Sequence, residues 1–85
     1  MNLRRHPDVA WQLIGDEAVL MSLAEGRVLG LNPVGALLWS LVEERDEDGL
    51  VAAVVARFAT EEPRAREDVR GFLSLLRERR LVVDA

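Results

Sequence analysis

The 85-residue sequence predicts an α+β fold in which a three-stranded antiparallel β-meander is followed by three α-helices. Three observations predict this order. Short apolar runs separated by turn residues occupy the first third of the chain. Apolar residues at i, i+3, i+4 and i+7 spacing occupy the rest. The two patterns meet abruptly at Asn32-Pro33. The chain is therefore predicted to form one domain, residues 1–85, with an ordered part over about 9–83.

The predicted strands are short and joined by tight turns. They cover residues 10–14, 18–23 and 27–31. Gly15-Asp16-Glu17 forms the first turn, and Gly26 closes the second link, where a three-residue hairpin connection favours positive φ. Since two short links in succession produce an antiparallel meander, the first and third strands are its edges.

The helical part begins at Asn32-Pro33. Asn32 is a preferred N-cap residue, and Pro33 has the φ of a first helical position and lacks an N–H that the helix would not use. The apolar spacing predicts three helices, over about 33–43, 50–59 and 63–79. Residues 81–83 form a short apolar tail.

Composition argues against several classes of protein. There is no cysteine for a disulfide or a thiolate metal site, and His6 is the only histidine, so neither catalysis nor a cofactor or metal site is expected. No apolar run approaches the roughly 20 residues of a membrane span, and the N-terminus lacks the apolar core of a signal peptide. A cytoplasmic protein without a membrane partner is predicted. The net charge of −4 argues against affinity for nucleic-acid phosphates.

The third predicted strand is the candidate binding edge. Its outward N–H and C=O groups are unpaired and can accept another strand. Gly30 leaves room for a close approach. The alternative is a short solvated edge that Arg27 protects from aggregation.

Three arginines of the third helix, Arg66, Arg70 and Arg77, fall on one stripe beside its buried line. At the wall of a groove, arginine can bind peptide carboxylates bidentately. The alternative is a solvated face crossed by i, i+4 ion pairs, namely Glu62 with Arg66 and Arg64 with Asp68.

Four residues lie outside these two surfaces. Trp11 and Trp39 are predicted core residues, with contact to a ligand as the alternative for Trp39. Gly71 and Leu75 fall on the far side of the third helix, where they are candidates for contact with an enzyme or a second copy of the chain.

The order of these features resembles the PqqD-like family of small winged-helix domains, also called RiPP recognition elements. A RiPP is a ribosomally made peptide that is modified after translation. The resemblance covers about residues 9–83 and rests on a short set of positions, namely Gly26, Leu31-Asn32-Pro33, Trp39, Asp68-Val69, Phe72-Leu73 and Leu81. The helix start resembles the broad family more than the members dedicated to pyrroloquinoline quinone synthesis.

The resemblance implies a peptide-binding adaptor rather than an enzyme. Family members bind the leader segment of a precursor peptide as a strand beside the third strand, in a cleft bordered by the third helix. They present it to a modifying enzyme, often a radical S-adenosylmethionine enzyme. The candidate peptide-binding residues are thus Arg27, Val28, Leu29, Gly30, Leu31, Arg66, Val69, Arg70, Leu73 and Arg77.

The alternative function is a winged-helix DNA-binding regulator, because three helices, a hairpin and an arginine-rich third helix fit that class. Acidic residues interleaved on the same helix, such as Glu67 and Glu78, oppose it, since phosphate contacts supply much of DNA affinity. The expected partners are a leader peptide and a modifying enzyme, without nucleic acid, and a homodimer is left open.

Overall fold

The computed structural model describes residues 3–84. Its elements, in chain order, are β1 (Leu3–Arg5), β2 (Val9–Ile14), β3 (Glu17–Ser22), β4 (Arg27–Leu31), α1 (Pro33–Leu41), α2 (Glu47–Phe58), α3 (Glu62–Glu78) and β5 (Val82–Asp84). The predicted α+β order, a meander followed by three helices, is confirmed. Strand β1 precedes residue 9 and was not predicted, and the predicted apolar tail is largely strand β5.

The meander has the order β2-β3-β4, so β2 and β4 are its edges, as predicted. Gly15 has a φ of 65° at the first central position of the β2–β3 turn, which is the type II′ arrangement. Gly26 has a φ of 67°, and its N–H donates to the Ser22 carbonyl at 2.8 Å. Because β3 ends at Ser22, the second link begins at Leu23 and is longer than predicted.

Side-chain caps define the starts of the first two helices. The Asn32 Oδ1 accepts a hydrogen bond from the Gly35 N–H at 2.8 Å, which confirms Asn32 as the α1 cap. Asp46 caps α2 in the same way, with its Oδ1 2.9 Å from the Gly49 nitrogen. That cap starts α2 at Glu47, ahead of residue 50, where the apolar periodicity begins.

The core lies between the inner face of the meander and the three helices. Trp39 is its largest fully buried side chain, which confirms the prediction for this residue. The terminal strands β1 and β5 pair antiparallel and close one end of the core with Leu3 and Val82, both 6% exposed. The N-terminal strand is therefore an integral part of the domain.

The predicted core position of Trp11 is wrong. Its indole packs edge-on against Trp39 with 6.1 Å between ring centroids, but 41% of the residue is exposed because β2 is the edge of the sheet. The Arg5 guanidinium covers both rings, at 4.9 Å from Trp11 and 5.4 Å from Trp39. Arg5 also donates to the Trp39 carbonyl at 2.8 Å, which attaches β1 to α1.

Candidate functional site

The β2–β3 turn determines which backbone groups of β4 are free. Residues that flank a two-residue turn form a hydrogen-bonded pair, and such pairs alternate along an antiparallel ladder. The backbone N–H and C=O groups of Leu20 therefore form their hydrogen bonds with β4 rather than with β2. Their partner on β4 is Leu29. It follows that the N–H and C=O groups of Val28 and Gly30 point away from the sheet. These groups form the open edge.

A depression adjoins the end of β4, between α1 and α3. It encloses about 430 Å³. We call it the α1–α3 cleft, and the residues that define it are Asn32, Gly35, Asp68, Gly71, Phe72 and Leu75. At its base three elements meet tightly, since a Cβ on Gly35 would lie 3.3 Å from both the Leu31 Cβ and the Phe72 Cε1. The cleft thus continues from the inner side of the β4 edge.

The predicted arginine stripe contacts α2. The Arg66 Nη1 lies 2.8 Å from the Glu47 Oε2 and 2.9 Å from the Asp48 Oδ1, and the Arg70 Nε lies 3.0 Å from the same Glu47 oxygen. Hydrogen bonds from Arg70 and then Arg66 lower the pKa of Glu47. The pairs of Arg66 with Glu62 and of Arg64 with Asp68, given above as the alternative, are both present.

The structure therefore separates the residues predicted to bind a peptide. Arg27 to Leu31 lie together on β4. Val69 is fully buried and Leu73 nearly so, and both belong to the core. Arg66 and Arg70 lie on the α2 flank of α3, where Arg77 also lies, beside Glu47 and Leu3. A role for these three arginines in peptide binding stays a prediction.

The α3 residues that border the cleft belong to the opposite flank of the helix. Gly71 and Leu75, which were predicted to lie on the far side of the third helix, border the cleft together with Phe72, which was not predicted as a cleft residue. Helical periodicity identifies two flanks beside a buried line, but it does not say which flank faces β4. The small residues Gly35 and Gly71 on two neighbouring helices were the sequence signal for a recess between them.

The meander carries most of the exposed apolar surface. Of the seven large apolar side chains exposed within residues 3–84, six belong to it; they are Trp11, Leu13, Ile14, Met21, Leu23 and Val28. Concentration of apolar side chains on one part of a small domain is typical of an interaction surface. The helices of the same domain expose mainly polar and charged residues.

Within residues 3–84, no group of three or more histidine or acidic side chains is placed to hold a metal ion. None of the helices in that range is long and apolar enough to cross a bilayer.

An open sheet edge beside an interhelical cleft defines a small α+β domain with a strand-binding geometry. The family model of coenzyme PQQ synthesis protein D (PqqD) matches residues 17–82. The chain therefore belongs to the PqqD family, and the resemblance found in the sequence is confirmed.

Two solved structures are similar to the chain over nearly its full length. TbiB1 in complex with the TbiA(beta) leader peptide is 34% identical, with a TM-score of 0.85 and coverage of 93% of both chains. A lasso peptide synthetase B1 complexed with the leader peptide is 17% identical, with a TM-score of 0.84 over 98% of this chain and 99% of that one; this second match shows the fold alone. No curated protein matches the chain.

Proposed function

We propose that this chain is a peptide-binding adaptor that captures the leader segment of a ribosomally made precursor as a fourth strand on β4. The observation that carries the proposal is the open edge at Val28 and Gly30, which adjoins the α1–α3 cleft. The similarity to TbiB1, which was solved with a leader peptide bound, supports it.

The mechanism is β-augmentation. Hydrogen bonds to the outward groups of Val28 and Gly30 fix the register of the added strand. Because side chains alternate along a strand, every second residue of the leader faces the inner side, toward Leu31 and the cleft. The cleft offers apolar contacts from Phe72 and Leu75 and the Arg64–Asp68 ion pair at its rim.

The adaptor is proposed to act without chemistry of its own. Holding the leader close to a modifying enzyme raises the local concentration of the rest of the precursor at that enzyme, which accelerates modification. A radical S-adenosylmethionine enzyme is the proposed partner. The proposal does not include membership of the pyrroloquinoline quinone pathway or formation of a homodimer, both of which the sequence leaves open.

Titration calorimetry tests the proposed function directly. The ligands are the TbiA(beta) leader, which is bound in the similar TbiB1 structure, and the leader of a short precursor where one is found encoded beside this chain. We expect saturable binding of one leader per chain. In an NMR titration of the same complex, we expect the amide resonances of β4 and of the cleft to shift. Absence of binding by every leader tested, or shifts confined to α2, would contradict the proposal.

A substitution in the cleft tests whether the leader binds there rather than at another apolar surface of the domain. Leu75 and Leu37 are both half-buried helical leucines, but Leu75 borders the α1–α3 cleft, whereas Leu37 lies in a depression beside β2. Leu75→Glu places a charge against apolar leader side chains, so we expect at least tenfold weaker leader binding by calorimetry.

Leu37→Glu is the matched control for that substitution and should change affinity less than twofold. Thermal melts of both variants verify that each is folded. Equal losses of affinity in the two variants would show that the cleft is not the site.

The alternative of a DNA-binding regulator has a separate test. Arg66 and Arg70 are already paired with Glu47, so they present little free positive charge to phosphates. We expect no measurable affinity for duplex DNA at about 0.15 M salt in fluorescence anisotropy. Sub-micromolar binding that weakens steeply with salt would favour the regulator over the adaptor.

A further inference from the structure

Arg27 is the only charged residue of β4, and its side chain is exposed. None of the ion pairs formed within residues 3–84 involves it. Its partner across the sheet is Ser22, which carries no charge. The first residue of the binding edge therefore presents an uncompensated positive charge.

Alternation along β4 puts three side chains on the inner side of the sheet. Arg27 shares that side with Leu29, which is half-buried, and with Leu31, which is buried at the base of the cleft. Val28 and Gly30 face the outer side, and their backbone groups receive the added strand. The inner side of the edge thus changes from charged at its start to apolar at its end.

For an added strand that continues the antiparallel order of the meander, the register follows from these positions. An antiparallel strand bonded to Val28 and Gly30 faces Arg27, Leu29 and Leu31 through non-hydrogen-bonded pairs, where opposing Cα atoms approach to about 4.5 Å and side chains are closest. Because the strands run in opposite directions, the peptide residue opposite Leu31 comes first. The residues opposite Leu29 and Arg27 follow at intervals of two.

We propose that Arg27 selects an acidic side chain in the bound peptide, within the order apolar-x-apolar-x-Asp/Glu from the N-terminus. Opposite charges on facing strands attract, like charges repel, and a guanidinium binds a carboxylate bidentately. This inference rests on the proposed function, because it requires that a peptide adds to β4. The competing explanation is that Arg27 only protects a free edge from aggregation, which predicts no preference at that position.

Selection from a displayed library of random peptides tests the inference without knowledge of the natural leader. The library is selected on the wild-type chain, on Arg27→Glu and on Arg57→Glu. Arg57 is an exposed arginine in the last turn of α2, beside the depression at β2, so its reversal changes net charge equally but away from β4. We expect the wild type and Arg57→Glu to enrich Asp or Glu two residues after an apolar residue. Arg27→Glu should enrich Lys or Arg there.

Calorimetry on one selected peptide measures how much the pairing of Arg27 with the acidic residue contributes to affinity. Exchanging its acidic residue for Lys should weaken binding to the wild type about two- to fivefold. The same exchange should strengthen binding to Arg27→Glu by a similar factor. Selected peptides without an acidic preference would overturn the inference. So would an acidic residue on the N-terminal side of the apolar pair, or the same preference in Arg27→Glu.

A parallel measurement on Val28→Pro separates this inference from the proposed function. If the selected peptides bind Val28→Pro as well as they bind the wild type, β4 is not the site and both proposals fail. If binding is lost in Val28→Pro but the acidic preference is absent in the wild type, only the role of Arg27 is wrong.

Discussion

Replacing Val28 with proline is expected to reduce leader binding at least a hundredfold while the domain stays folded. Proline removes the outward N–H that an added strand needs, and its ring fills the space the strand would occupy. Edge strands accept proline where the N–H faces solvent, so the pairing of β4 with β3 survives. The Val28 side chain is 60% exposed, and its loss removes little core packing.

Two variants control for other effects of that change. Val28→Ala keeps the N–H and should retain wild-type affinity within about twofold. Leu29→Pro removes an N–H bonded to β3, so it should lower the melting temperature in circular dichroism. A folded Val28→Pro variant with unchanged affinity in calorimetry would exclude strand addition at this edge.

Trp39→Ala is expected to be the most destabilising single substitution in the core. Truncation of a large buried aromatic side chain costs about 3–5 kcal/mol, because it removes apolar burial and leaves a cavity. Domains of this size have about 5–15 kcal/mol of stability in total, so the variant should be close to unfolding. Urea denaturation followed by far-ultraviolet circular dichroism measures the change.

The contribution of the ring can be separated from that of the indole N–H. The Trp39 Nε1 is buried and has no hydrogen-bond acceptor among the described residues. Trp39→Phe therefore loses no hydrogen bond and should reduce the free energy of unfolding far less than Trp39→Ala does. Trp11→Ala removes the exposed member of the same aromatic pair and should cost less than half as much as Trp39→Ala. Equal urea midpoints for Trp39→Ala and Trp11→Ala would contradict this account of the core.

Local patterns in the sequence were sufficient for most of the fold. The turn glycines Gly15 and Gly26 marked the meander, and the Asn32-Pro33 cap marked the start of α1. Each depends on residues close in sequence, so short-range preferences predict it. The edge position of β4, and with it the candidate binding strand, followed from the short links alone.

Features that depend on distant contacts were missed. Leu3 and Arg5 lie in a three-residue strand whose partner is β5, and nothing near them in sequence predicts that pairing. The exposure of Trp11 depends on the position of β2 at the edge of the sheet. The location of Arg70 against Glu47 depends on how α2 crosses α3, which periodicity on one helix does not determine.

The pairing of β1 with β5 also bears on how the domain folds. It joins residues separated by almost the whole chain, so its closure costs more loop entropy than any other strand pairing in the structure. The hairpins of the meander and the contacts between successive helices are local and can form beforehand. We therefore expect the two terminal strands to pair last, and a transient opening there to leave the β4 edge and the α1–α3 cleft assembled.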